Sequence, residues 1–184
     1  MQTDLLALLP GRRGHFRMES GYHSERWFNL DQLFEDRPRL QPFVDELSGR
    51  LAAHHIEAVV GPIAGGAKLA GMIGHKLGLE SFPAVRFETP NATGLFPVRY
   101  LVPATLRERL RGKSVAIVDD AISAGSAVKG THADLLACGA NPVVCGALLI
   151  FGDAADKFAA NQNLKLEGIA RMSFDMWQPA DCPL

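Results

Sequence analysis

Residues 115–127 read Val115-Ala116-Ile117-Val118-Asp119-Asp120-Ala121-Ile122-Ser123-Ala124-Gly125-Ser126-Ala127. The apolar run predicts a strand that delivers two adjacent carboxylates to its carboxyl edge. A turn of small residues follows at once, with two hydroxyls and one glycine, and opens a helix. Free N–H groups at that helix start, with the Ser123 and Ser126 hydroxyls, make a cradle for a phosphate monoester. Small side chains let the phosphate approach the backbone. Two carboxylates are a poor choice for phosphate itself. They suit the vicinal hydroxyls of a ribose, with a divalent cation near by. A helix-capping role would account for one aspartate. It leaves the second acid and the Ser-Ala-Gly-Ser turn unexplained.

The surrounding chain repeats the strand-to-helix texture. Glu57 to Val60 is a short apolar strand running into Gly61-Pro62-Ile63-Ala64-Gly65-Gly66, and Lys68 to Leu77 reads as a helix. Phe82 to Phe87 and Ser114 to Val118 are further strands. Gly125 to Cys138 is a helix with Val128, Thr131, Leu135 and Cys138 at three-and-four spacing, and Val143 to Ile150 and Ile169 to Phe174 supply more strands. Leu40, Phe43, Val44, Leu47 and Leu51 give an amphipathic helix between about Arg39 and His55. Apolar strands alternating with helices predict an α/β fold, a parallel sheet covered on both faces. Ligands then sit beyond the carboxyl ends of strands, on the loops after Val60, Phe87 and Val118. Upstream, HFRME and RWFNL form a hairpin between His15 and Leu30. Residues 88–112 fit no period and contain Thr89-Pro90-Asn91, Gly94, Pro97 and Pro103, the texture of a long binding loop or lid.

Composition narrows the class. The chain has 184 residues, 47% of them hydrophobic and 21% charged, enough for one packed domain. A formal charge of -1 argues against a nucleic-acid binder. Cys138, Cys145 and Cys182 are an odd, scattered set, which fits a reducing cytoplasmic compartment better than a disulfide framework. The longest apolar run, Val143 to Phe151, is far short of a membrane span. Met1 to Pro10 carries an acid where a signal peptide wants positive charge. Gly61 and Gly66 precede Lys68, but a Walker A loop needs glycine, lysine and a hydroxyl in direct succession. Here the order is Gly66-Ala67-Lys68-Leu69. His54-His55 lacks metal-ligand spacing and reads as surface, and Cys182 alone is no zinc site.

The 115–127 segment resembles the 5-phosphoribosyl-1-pyrophosphate (PRPP) signature of type I phosphoribosyltransferases, with serines where the family usually has threonines. His15-Phe16-Arg17-Met18-Glu19-Ser20-Gly21-Tyr22-His23-Ser24 is similar to the N-terminal hairpin of orotate phosphoribosyltransferases, and Gly61 to Gly66 to their pyrophosphate loop. The tail Pro179 to Leu184 also resembles that of some members. The resemblance implies a parallel-sheet core, residues 39–184, under a small N-terminal hood, residues 1–38. It implies Mg²⁺-dependent transfer of phosphoribose from PRPP to a nitrogenous base, orotate or another pyrimidine or purine, by a cytoplasmic homodimer, with no membrane or nucleic-acid partner. By the same resemblance Asp119 and Asp120 hold the ribose hydroxyls as the catalytic pair. Ser123, Ala124, Gly125, Ser126 and Ala127 hold the 5-phosphate. Ile63, Ala64, Gly65 and Gly66, with Arg86 and Arg99, hold the pyrophosphate. Phe16, Glu19, Trp27 and Phe28 border the base, and Mg²⁺ arrives on PRPP rather than on protein ligands.

Two departures bear on the substrate. Glu19 stands where the family carries a basic residue facing orotate, and Phe151-Gly152-Asp153-Ala154 lacks an arginine usual there. Such reversals disfavour an anionic base by a few kcal/mol each at ~4 Å and suit one bearing N–H donors. No lysine occurs between Lys76 and Lys113, where the family's loop carries lysines that contact pyrophosphate. Arg86 and Arg99 are the surviving cations of first choice, followed by Arg107, Arg109 and Arg111. A PRPP- or nucleotide-binding regulatory protein without turnover is therefore the alternative expectation.

Overall fold

The computed structural model describes residues 2–9, 11–88, 95 and 97–184; the Thr89-Pro90-Asn91 and Gly94 part of the expected loop lies outside them. Six strands make the central sheet. They are β3 (Ala58–Pro62), β4 (Glu80–Glu88), β5 (Val98–Leu101), β6 (Ser114–Ile122), β7 (Asn141–Phe151) and β8 (Lys165–Met172), in the order β5-β4-β3-β6-β7-β8. All neighbouring pairs are parallel except β4 with β5. The expected parallel sheet is present, with β5 added antiparallel at one edge. Val98 and Tyr100 point inward from a four-residue strand whose alternation is too short to stand out between Pro97 and Pro103. A 3-10 helix, Ala104–Leu110, forms within the stretch that reads as irregular loop.

Helices cover both faces. Helices α2 (Arg37–Ala52) and α3 (Gly65–Leu77) share one apolar cluster with Val59, Ala116 and Val118. Helices α4 (Ser126–Ala137) and α5 (Ala154–Asn161) share the other with Val60, Val115 and Ile117. Successive residues of β3 and β6 thus face opposite clusters, which is why these strands read as unbroken apolar runs. In α2 the periodic Leu40, Phe43, Val44, Leu47 and Leu51 are all buried, each contributing roughly 1.5–3 kcal/mol. The Asp36 carboxylate accepts from the Arg39 N–H and caps the helix. The sequence pattern does not reveal α1 (Gln2–Leu6), whose Leu5 is fully buried.

The hairpin forms a separate antiparallel sheet. Strand β1 (Gly11–Arg17) pairs with β2 (His23–Phe28), and β2 also pairs with β9 (Met176–Trp177). The third strand of the hood thus comes from near the far end of the chain. Phe28 stacks on Phe151 with ring centroids 5.2 Å apart, and Phe174 closes the aromatic contact, which holds the hood against the end of β7.

Candidate active site

The central pair of acids owes its position to strand register. Strand β3 pairs with β6 only from Ala58↔Val115 to Val60↔Ile117, whereas β7 follows β6 as far as Ile122↔Ile150. Strand β6 therefore runs past Val118, its expected end. Asp119 and Asp120 lie within its last residues, paired on one side and open on the other. Into that open side turns the loop from β3 to α3. The fit depends on glycine. A Cβ on Gly65 would lie 1.8 Å from Asp120 Oδ2, one on Gly66 2.7 Å from Asp119 Oδ1, and one on Gly61 2.0 Å from the Gly66 carbonyl oxygen. Helix α3 starts at Gly65, three residues before its apolar period becomes visible, because Ala64 accepts the Lys68 N–H.

Asp119 is 8% exposed and accepts a hydrogen bond from the Asp120 N–H at 3.0 Å; Asp120 accepts from the Ala121 N–H at 2.7 Å. Burial pushes the Asp119 carboxyl well above its ordinary range, and the neighbouring Asp120 charge adds to the effect. Burial also raises Asp120. Two carboxylates are held where negative charge is costly, and the site gains by any partner offering hydroxyl protons or positive charge.

The turn after β6 reaches α4 through Gly125, whose φ of 77° is left-handed and open to glycine without strain. No side chain caps α4, so its first N–H groups keep their donor capacity, and α3 is likewise uncapped. Lys129 Nζ donates to the Ala124 carbonyl at 2.8 Å and braces the turn.

A cavity of about 360 Å³ joins these parts. Its lining includes Ile63, Ala64 and Gly65, Asp119 and Asp120, Ser123, Ser126 and Ala127, and from the hood Glu19, Trp27 and Phe28. Of the remaining expected site residues, Gly66 stands behind the loop against Asp119. Ala124 and Gly125 lie under the turn, and Phe16 sits behind Trp27, with ring centroids 6.5 Å apart. Arg99 is absent from the lining; it borders a separate cleft with Gly130 and Ala133 of α4. Among described residues the lining holds no Lys, Arg or His, and it adds Asp31 to the acids.

Sequence reading places Glu19 by the base and Arg86 by the pyrophosphate. In the structure they bind each other. Arg86 Nε donates to Glu19 Oε2 at 2.9 Å, Arg86 Nη1 to Glu88 at 2.9 Å, and the Tyr100 hydroxyl to Glu19 Oε1 at 2.7 Å. The two carboxylates hold the Arg86 guanidinium charged, while burial and Glu19 raise the Tyr100 phenol and keep it a donor. This triad ties the hood to β4 and β5, and no signal in the local sequence announces it. Arg107, Arg109 and Arg111 are engaged elsewhere, with Asp134, Glu80 and Glu108. His54, read as surface, donates from Nε2 to Glu167 Oε1 at 2.9 Å and is half-buried.

No family model matches the chain. In sequence it is 29% identical to the orotate phosphoribosyltransferase of Thermotoga maritima over 174 residues, 93% of this chain and 84% of that one. It is 27% identical to that of Desulforamulus reducens, with 93% and 82% covered. In structure it is similar to the orotate phosphoribosyltransferase of Aeropyrum pernix, with TM-score 0.72, 21% identity and 94% of each chain covered. The adenine phosphoribosyltransferase of Thermoanaerobacter pseudethanolicus gives TM-score 0.73 at 12% identity, covering 94% of this chain and all of that one.

Proposed function

We propose that this chain, which has the type I phosphoribosyltransferase fold and is homologous to orotate phosphoribosyltransferases over most of its length, is a phosphoribosyltransferase. It moves phosphoribose from PRPP to a ring nitrogen of a heterocyclic base and releases pyrophosphate. The observation that carries the reading is the single cavity in which a glycine loop, two buried adjacent acids and an uncapped helix start converge.

In this reading Asp119 and Asp120 accept hydrogen bonds from the ribose hydroxyls. The α4 N–H groups and the Ser123 and Ser126 hydroxyls take the 5-phosphate, and the Ile63 to Gly66 backbone takes the pyrophosphate. Gripping both ends fixes the anomeric carbon between leaving group and nucleophile. Departure ahead of attack leaves a cationic, oxocarbenium-like ribose, and the two carboxylates beneath it favour that charge over the neutral ground state. The donors facing the cavity are hard oxygens, which fit Mg²⁺. Bound with PRPP, Mg²⁺ would neutralise phosphate charge in a lining whose described residues supply no side-chain cation.

Among the described residues the lining pairs acids with no basic side chain, and this favours an uncharged, N–H-bearing base over orotate. Trp27, 37% exposed, offers it a stacking face. The unit is a cytoplasmic homodimer. A second reading, PRPP binding without turnover, is favoured by the engagement of Arg86 with Glu19 and Glu88.

The test is thermal unfolding with Mg²⁺, then Mg²⁺ and PRPP, then orotate, uracil, adenine, guanine or hypoxanthine added singly, alongside pyrophosphate release. PRPP should raise the midpoint, one base should raise it further, and that base should drive release. A PRPP shift that no base extends selects the binding-only reading. Unchanged PRPP binding in Asp119→Asn with Asp120→Asn overturns both.

A further inference from the structure

Away from the cavity, three side chains from three segments converge. His15 comes from β1, His23 from the start of β2, and Cys182 follows a 3-10 turn, Pro179–Asp181, just after β9. Their ligating atoms all lie within 4.8 Å of one another. His15 Nε2 is 2.9 Å from His23 Nδ1 and 3.5 Å from Cys182 Sγ, and the imidazoles meet edge to face.

Hydrogen bonding accounts poorly for this meeting. His15 Nε2 carries either a proton or a lone pair. With the proton it can serve His23, and the thiol is left with only a long contact to the Leu184 carbonyl, at 3.9 Å. With the lone pair it is contested by two donors. A cation replaces those protons and satisfies all three atoms together. The His15–Cys182 spacing of 3.5 Å matches that of a zinc site, and the imidazole nitrogens, 2.9 Å apart without the ion, would open by a few tenths of an ångström to admit it. Around a tetrahedral zinc, bonds of about 2.0–2.1 Å to nitrogen and about 2.3 Å to sulfur put ligand atoms roughly 3.3–3.6 Å apart.

We propose that His15 Nε2, His23 Nδ1 and Cys182 Sγ form a binding site for Zn²⁺ or a similar borderline transition cation. The fourth position is open to water. Two imidazoles and a thiolate select such a metal against Mg²⁺ or Ca²⁺, which want oxygen. Binding takes Cys182 as thiolate, so its proton leaves to solvent. The metal pins the C-terminal turn to the hairpin. Through β2, whose His23 pairs with Trp177, it braces the small sheet that carries Glu19 and Trp27 to the cavity rim. The site is thus a clamp on the hood, and the inference stands whatever the substrate.

The experiment uses untagged, metal-free full-length protein titrated with Co²⁺ and then Zn²⁺. One equivalent of Co²⁺ should give tetrahedral d–d bands and a thiolate-to-metal charge-transfer band in the near ultraviolet, and Zn²⁺ should bleach both. Cys182→Ser should abolish the charge-transfer band, and His15→Ala or His23→Ala should weaken binding at least about tenfold, since even outer-shell changes cost that much. Cys138→Ser with Cys145→Ser should change nothing, because both thiols are buried and neither belongs to the cluster. Zn²⁺ should slow amide exchange across residues 11–28 and 176–182. Absence of a charge-transfer band in the wild-type protein overturns the proposal, as does its survival in the Cys182 variant. Circular dichroism of each variant separates lost ligands from lost fold.

Discussion

Gly65→Ala tests the contact on which the cavity floor depends. The added methyl would lie 1.8 Å from Asp120 Oδ2 and 2.5 Å from its Cγ, and neither distance is tolerated. Relief requires the loop, the carboxylate or both to move by about 1 Å or more, and a misplacement of that size costs on the order of 100-fold in a preorganised site. The consequence for PRPP can be calculated. At a concentration about 1,000 times the wild-type Kd, a ligand that binds only the native state adds about 4.1 kcal/mol; after a 100-fold loss it adds about 1.4. In a domain of this size 1 kcal/mol moves the midpoint by roughly 2–4 °C. The PRPP-dependent rise should therefore shrink from about 8–16 °C to about 3–6 °C in scanning calorimetry with Mg²⁺. Gly49→Ala is the matched control. A Cβ there meets nothing within 4 Å on the exposed side of α2, so it should stabilise by about 0.5–1 kcal/mol and leave the PRPP response whole. Asp120→Ala added to Gly65→Ala removes the clash and should recover ligand-free stability but not PRPP affinity. A full wild-type PRPP response in Gly65→Ala would falsify the assignment of this loop.

The buried acids carry a pH signature. Asp119 and Asp120 bind protons more tightly folded than unfolded, so their contribution to stability is present below the ordinary aspartate value of 3.8 and falls as pH rises toward their folded values. Asp119→Asn with Asp120→Asn should raise ligand-free stability at neutral pH, the gain vanishing below about pH 4; parallel denaturation curves across that range would contradict the electrostatic account. The Glu19–Arg86 pair is about 40% exposed and should show a coupling of only about 0.2–1 kcal/mol in a Glu19→Gln, Arg86→Gln cycle. A value above 2 would mean the pair is desolvated in the working enzyme. Asp134 accepts from the buried Val102 N–H at 2.7 Å and from Arg107 at 2.9 Å. Asp134→Ala should cost about 1–3 kcal/mol in urea unfolding with no change in PRPP response, and an altered response would move α4's far end into the site.

The parts legible in the sequence are those where local chemistry and local geometry coincide. The two acids near the end of β6, and the glycines from Gly61 to the first turn of α3, stand together in the chain because the backbone itself must come close. The strand-and-helix alternation is visible for the same reason. Every residue of β3, and of β6 from Val115 to Asp119, is buried whichever face it takes. What stays hidden is held by long-range pairing. Strands β5 and β9 are four and two residues long and exist only against their partners. The end of β6 is hidden too, since Ala121 and Ile122 are in the strand by virtue of Leu149 and Ile150 opposite. Cys182 reads as a lone thiol because the histidines beside it are more than 150 residues away.

The charge of the base pocket is the sharpest case. Taken one at a time, Glu19 is an acid where a base is expected and Arg86 is a cation near the pyrophosphate. Joined at 2.9 Å they largely cancel. Asp31 is likewise matched by Lys68 at 2.7 Å. The negative charge left facing the cavity is then that of Asp119 and Asp120, both buried and both resisting ionisation. Among the described residues of the lining an anionic base would meet no side-chain cation to offset them, and an uncharged base would meet an aromatic face and hydrogen-bond acceptors. Selection between them rests on the absence of a basic group in the lining more than on the acid at position 19. Replacing Glu19 by lysine would place a second cation against Arg86 and Tyr100 rather than recreate an orotate site. Recovering orotate affinity requires a cation on the free side of the cavity, where Trp27 and Asn29 border it.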